Sequence, residues 1–368
     1  MFTTTLDEII EQVALISPFS YGKTRNYLDG DVTRLSPYIS RGVISTRYVL
    51  DTLVQKGISP LKVERLTQEL CWRDYWQQVW LAKGDSIDTD LKKEQEEVEH
   101  WEMPTAIIEA NTGIEVIDQG IEDFYRTGYL HNHLRMYIAA ITCNQGKSHW
   151  KIPAQWMYYH LLDGDWASNA LSWQWVAGSN SNKKYIANQD NINKHSKHQQ
   201  KGTFLDVSYE QLATLTTPDI LKATMIPNLQ TPLPEVSPIK VSSSQPILIY
   251  NWYNIDPFWE KDLDANRILL LEPSHFDKYP ISQQSMDFLL GLSENIEGIQ
   301  VFVGEFDALM SAYPDCEIHY KEHPTNNHYK GIQHPRDWIS SVEGYYPSFF
   351  GFWKKVKKEL KSRYRGMY

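Results

Sequence analysis

With 368 residues, 42% of them apolar and 22% charged, the chain reads as a globular protein of one large domain or two ordinary ones. Its formal charge of −10 opposes general nucleic-acid binding, although the basic stretch FWKKVKKELKSRYRGMY leaves room for a local basic rim. No apolar run reaches the roughly eighteen residues of a membrane span, MFTTTLDEIIEQVAL lacks the basic start of a secretory signal, and Cys71, Cys143 and Cys316 have no paired spacing, which fits a reducing cytoplasm and argues against a disulfide framework or a Cys-held metal.

Residues 1–225 are predicted to be mainly helical. LDEIIEQVALI has helical apolar spacing, and ISTRYVLDTLVQKG repeats it up to Gly57. KVERLTQELCWRDYWQQVWLAKG forms a long helix ending near Gly84. GIEVIDQGIEDFYRTG, LHNHLRMYIAAITCNQG, AQWMYYHLLDGD and WASNALSWQWVAG follow as four more. Residues 226–246, rich in Pro and Ser, read as an extended linker and domain boundary. Beyond it PILIYNW, RILLLEP, IQVFVG and CEIHYKEH look like short buried strands with SQQSMDFLLGLSENI helical between two of them. Residues 247–368 are therefore expected to form a small α/β domain with a parallel sheet and a basic C-terminal helix.

Four constellations carry candidate chemistry. In DGDWASNALSWQWVAG, Asp165 stands where a helix N-cap is expected and Gly178 where the helix stops. Asp165, Asn169 and Trp173 then share one stripe, and buried polar groups on a stripe need partners. A capped amphipathic helix with a half-exposed Trp is the plainer meaning. In TGYLHNHLRMYIAA, Asn132, Arg135 and Met136 share a face, and Arg135 has an acid such as Asp163 as a charge-assisted partner. In QELCWRDYWQQVW, Glu69, Trp72, Arg73 and Trp76 lie together, which more often marks a Trp-rich core side. In YGKTRNYLDGDVTRLSPYISRG, Thr33 and Ser36 precede a helix start, where hydroxyls and free amides suit a phosphate.

Together, in this order, these blocks resemble the FAD-binding domain of the photolyase/cryptochrome family over roughly residues 10–195. TRLSPYISRG is similar to the family's phosphate-side loop, ELCWRDYW to its E-L-x-W-R-x-[FY] helix, and TGYLHNHLRM and DGDWASNALSWQW to its two most diagnostic blocks. The resemblance implies an all-helical domain holding a U-shaped FAD. It places Tyr21, Thr33, Leu35 and Ser36 along the phosphates and ribityl chain. Arg73, Asn132, Arg135, Asp163 and Asp165 would surround the isoalloxazine, with Asn169 at its N5. A neutral amide there can donate or accept without adding charge.

The same resemblance implies light-driven repair of damaged DNA, in which the cofactor supplies the hard chemistry and the protein supplies pocket and electrostatics. Its substrate-side residues are Glu69, Trp72, Asn132, Met136 and Trp175, with Trp72 and Trp175 stacking on flipped bases. Asn132 and Met136, where enzymes for (6-4) lesions carry His, favour cyclobutane pyrimidine dimers. Trp173 and Trp150 match the inner two residues of the family's electron-transfer chain; the outer one is open, with Trp101 nearby in sequence. The chain is expected to act in the cytoplasm as a monomer, away from membranes.

Some features depart from the family. The helical part starts almost at residue 1, so the usual N-terminal antenna domain is expected to be absent, with residues 247–340 as an equivalent module at the other end; an antenna pigment stays undetermined. Tyr129 stands where many relatives have Trp, and SNSNKKYIANQDNINKHS diverges from their usual continuation. The alternatives are a cryptochrome-like blue-light photoreceptor without repair and a light-independent flavin electron carrier. The histidines of EIHYKEHPTNNHYKGIQH, namely His319, His323, His328 and His334, fit no common metal template and are expected on surface loops.

Overall fold

A computed structural model describes residues 2–367. The chain condenses into two compact units, and neither is a single stretch of sequence. One holds Met1–Pro18, Thr33–Ala82 and Gln230–Tyr368; the other holds Phe19–Val32 and Lys83–Leu229. The expected division into consecutive segments 1–225 and 247–368 therefore gives way to an interleaved one. Its cause lies in bonds between segments far apart in sequence within the first unit.

The first unit is built on a five-stranded parallel sheet. The four apolar runs form β1 (Ile247–Tyr250), β2 (Asn266–Leu271), β3 (Gln300–Val303) and β4 (Ile318–Lys321), and a fifth strand, β5 (Ile332–His334), joins them. Their order is β3-β2-β1-β4-β5, so the chain builds outward on one side of β1 and then on the other. All four residues of β1 are buried, as a strand covered on both faces requires. Ile247, Ile249, Ile268 and Leu270 pack with Phe306 and Leu309 into one core layer. The predicted Gln283–Ser293 helix is present and starts on a Ser282 cap. Residues 226–246 contain no helix or strand.

The same unit contains the twenty-residue helix Glu64–Lys83 up to Ala82. Its buried Asp74 accepts from the Thr46 hydroxyl (2.8 Å) and from the Ile339 N–H (2.8 Å), while Gln77 accepts from Arg336 (2.6 Å). The tail helix Phe349–Arg363 starts on Ser348, whose hydroxyl accepts from the Gly351 N–H, and buries Phe352, Val356 and Leu360. Its Lys357 pairs with Glu64 at 2.7 Å, and Trp353 donates to the same carboxylate at 3.3 Å. These contacts place 33–82 with the C-terminal segment. Gly42 marks a close approach: it takes φ +69, and a Cβ there would meet the Tyr253 carbonyl oxygen at 2.6 Å.

The histidine expectation also changes. His319 lies on β4 and His334 on β5, with ring nitrogens 3.0 Å apart, and His323 is buried against Tyr253. Among the described residues, no group of His, Cys, Asp or Glu is arranged to hold a metal, and no helix is long and apolar enough to cross a membrane.

The second unit is almost entirely helical. Its main elements are Glu115–Thr127, Asn132–Ala140, Lys151–His160, Trp166–Ala177 and Gln189–Ser196, and the first four match predicted helices. Gly128 (φ 66) and Gly178 (φ 91) end two of them in the left-handed conformation expected of a C-terminal glycine. A single π-turn, Ile141–Gln145, follows Asn132–Ala140. Trp150, Trp156, Trp166 and Trp173 are buried, so much of the high Trp content is core here.

Candidate functional site

A buried polar constellation in the second unit surrounds the turn Asp163–Gly164–Asp165. Gly128 closes one helix, and its carbonyl accepts the Leu162 N–H at 2.9 Å, which ties the two turns together. Arg135 is half-buried one turn into the next helix. Its Nε donates to the Leu130 carbonyl (2.8 Å), and one terminal nitrogen reaches both oxygens of Asp163, at 3.0 and 2.9 Å. The predicted charge-assisted pair is thus present, on a carboxylate whose side chain is only 5% exposed.

Asp165 caps the following helix by accepting the Ser168 N–H at 2.7 Å. One turn on, the buried Asn169 donates its side-chain N–H to the Ala154 carbonyl at 2.7 Å. That bond fixes the amide, so Oδ1 is the end directed away from Ala154. The neighbouring Ser168 hydroxyl is buried with no hydrogen-bond partner. An oriented amide, a fixed guanidinium–carboxylate pair and an unsatisfied hydroxyl form a donor and acceptor set suited to a polar heteroaromatic group. Asn132 is exposed at the helix start and its amide contacts Met136 Sδ at 3.8 Å. Tyr21 is half-buried, and Trp175 is 39% exposed on the Trp166–Ala177 helix.

Trp173 and Trp150 are both buried. Trp150 donates its indole N–H to Asp90 at 2.7 Å. The exposed Trp101 stacks on His149, which adjoins Trp150. Burial pushes the Asp90 carboxyl up, but the bonds from His149, the Gln95 N–H and Trp150 together hold it below the usual carboxylate range.

The remaining predicted residues belong to the first unit. Leu35 is buried, and Thr33 accepts the Leu35 N–H at 3.4 Å; Ser36 opens a five-residue helix, Ser36–Ser40. Glu69 is exposed and Arg73 half-buried on the Glu64–Lys83 helix. Trp72 differs from the expectation of an open stacking platform. Phe349 lies flat on its ring, with centroids 3.8 Å apart and planes 9° apart, and Trp76 flanks it at 5.2 Å. Stacking buries two apolar rings at once, and the Ser348 cap and the Lys357–Glu64 pair hold the tail helix in register. Sequence reasoning did not single out Phe349, Asp90 or His149, which meet Trp72, Trp150 and Trp101 respectively. Each of these contacts joins segments that no local spacing connects.

Comparison with known proteins gives a consistent picture. Residues 66–241 match the family model described as the FAD binding domain of DNA photolyase. A deoxyribodipyrimidine photo-lyase of Buchnera aphidicola is 31% identical over 167 residues, covering 43% of this chain and 34% of that protein. One of Alkalihalophilus pseudofirmus is 28% identical over 149 residues, covering 39% and 31%. A cryptochrome DASH of Gloeobacter violaceus is 28% identical over 187 residues, covering 47% and 36%. The chain spans about a third of the length of the curated relatives it matches.

Proposed function

We propose, from the premise that this chain belongs to the photolyase/cryptochrome family and carries that family's FAD-binding domain, that it repairs cyclobutane pyrimidine dimers in DNA with light. The observations that carry the reading are the fixed amide of Asn169 and the Arg135–Asp163 pair. A reduced FAD held by these residues would supply the light-driven single electron that the repair needs.

The protein's share is binding, orientation and electrostatics. Asn132, Arg135, Asp163, Asp165 and Asn169 would hold the isoalloxazine. Asn169 presents Oδ1 to a ring N–H without adding charge, because Ala154 holds its other end. Arg135 stays fixed by Leu130 and Asp163, so its charge needs no reorganisation when negative charge develops nearby. Trp173 and Trp150 carry electrons inward from Trp101 at the surface. Trp175 offers an exposed indole on which an unstacked base can lie, and Met136 an apolar wall. In the first unit, Glu69 would hydrogen-bond a base edge and Trp72 would stack once Phe349 leaves its ring.

A second reading, a cryptochrome-like blue-light photoreceptor, is favoured by one observation: Phe349 already occupies Trp72, and a sensor needs no open platform there. The test is illumination of the FAD-replete, reduced protein with an oligonucleotide carrying one cyclobutane dimer. Repair predicts light-dependent recovery of monomer pyrimidines. Unchanged dimers at full flavin reduction overturn it in favour of the photoreceptor.

A further inference from the structure

We propose that His149 is a positioning residue of the electron chain, clamping Trp101 beside Trp150. The inference rests on the reading above, in which Trp101 is the surface end of that chain. Trp101 is 54% exposed, yet its ring is not loose. It stacks on His149 with centroids 3.8 Å and planes 27° apart, and His149 lies 5.6 Å from the ring of the buried Trp150. Backbone pairing sets this register: His100 bridges Ser148, and the His149 N–H donates to the His100 carbonyl at 2.9 Å. Trp101 and His149 follow directly on the paired residues.

The bonding of His149 assigns its proton. Nδ1 accepts the Lys151 N–H at 3.3 Å, so the ring hydrogen is on Nε2, which lies 3.4 Å from Asp90 Oδ1. The same oxygen accepts the Trp150 N–H. One carboxylate therefore holds the buried indole and orients the imidazole that holds the exposed one. Its negative charge favours a positive hole on Trp150.

The step balances simply. Trp101 gives one electron to oxidised Trp150, and its indole proton goes to water. A soluble thiol, oxidised to the thiyl, then returns the hydrogen-atom equivalent to Trp101.

The experiment compares the parent with H149A, H149F and W101F, each as the full chain. Two signals are read: Trp101 emission in the dark, taken as the difference from W101F, and the yield of long-lived tryptophan radical after a flash on FAD-loaded protein. H149A is expected to shift Trp101 emission toward that of a free indole and to lower the radical yield roughly threefold to tenfold, the population change one aromatic stack sets. H149F, which keeps the stack, retains both signals within about twofold. Unchanged emission and yield in H149A overturn the role of His149, as does an H149F variant that loses both signals. If W101F leaves the yield intact, the Trp101 exit itself fails; if W101F abolishes the yield while H149A does not lower it, only the present inference fails.

Discussion

Asp74 offers a stability prediction whose sign is unusual for a carboxylate. It is buried on the Glu64–Lys83 helix, and burial pushes its pKa from 3.8 up to about 6, against the opposing bonds from the Ile339 N–H and Thr46 and the positive charges of Arg336 and Arg73. The folded chain therefore binds a proton in a range where the unfolded chain has released it. The stabilisation from this group is fully present below pH 3.8 and is lost as pH rises through about 6. At about 1.4 kcal/mol per pH unit, the full change is about 3 kcal/mol. Asp74→Asn mimics the protonated acid, because its oxygen can accept from Ile339 while its N–H donates to the Thr46 hydroxyl. Urea unfolding of parent and D74N at a series of pH values isolates the contribution of this carboxyl. The stability difference, parent minus variant, should fall by about 2 kcal/mol from about pH 4 to about pH 7, the rest of the change lying below about pH 4. A flat difference, or one that rises with pH, refutes the reasoning.

Three further outcomes are expected. Phe349→Ala removes a buried ring and should cost roughly 3–5 kcal/mol in an unfolding titration; it should also tighten binding of a dimer-bearing oligonucleotide measured by anisotropy, and equal affinities count against Trp72 as a base platform. Asn169→Asp loses the N–H held by Ala154 and adds a buried charge, so stability should drop by about 1–3 kcal/mol and the flavin-to-protein absorbance ratio should fall; an unchanged ratio removes Asn169 from the flavin contacts. Burial lowers the His160 pKa from 6.5 to about 4, so the unfolded chain takes up its proton first, and the second unit should lose stability as pH drops through that window. The slope, opposite to that of Asp74, should flatten in His160→Phe; a slope identical to the parent's rules out His160 as its source.

The sequence carried the parts that repeat or cap. Asp165, Asn169 and Trp173 follow one helical stripe between a capping acid and a stopping glycine, and the structure keeps all of them. Four apolar runs became four strands because a sheet covered on both faces leaves no polar alternation to hide them. β5 was missed because its residues, Ile332–His334, are mostly exposed and carry no apolar run. The interleaving of the two units was equally hidden. It depends on single side chains such as Asp74 and Glu64 meeting residues hundreds of positions away, and no local pattern announces such a meeting. Pairing of Arg135 with Asp163 was legible only as chemistry, since an arginine on a buried face needs an acid.

The partnership of Glu64 with Trp353 spans 289 residues. During synthesis, the long contiguous part of the second unit, Lys83–Leu229, emerges with nearly all its partners at hand. Residues 33–82 emerge earlier yet must wait for the sheet and for the helix that begins at Phe349. Until then the aromatic side of the Glu64–Lys83 helix, Trp72, Tyr75 and Trp76, has no cover from that helix, and this interval is when the nascent chain is most exposed to sticking to a neighbour.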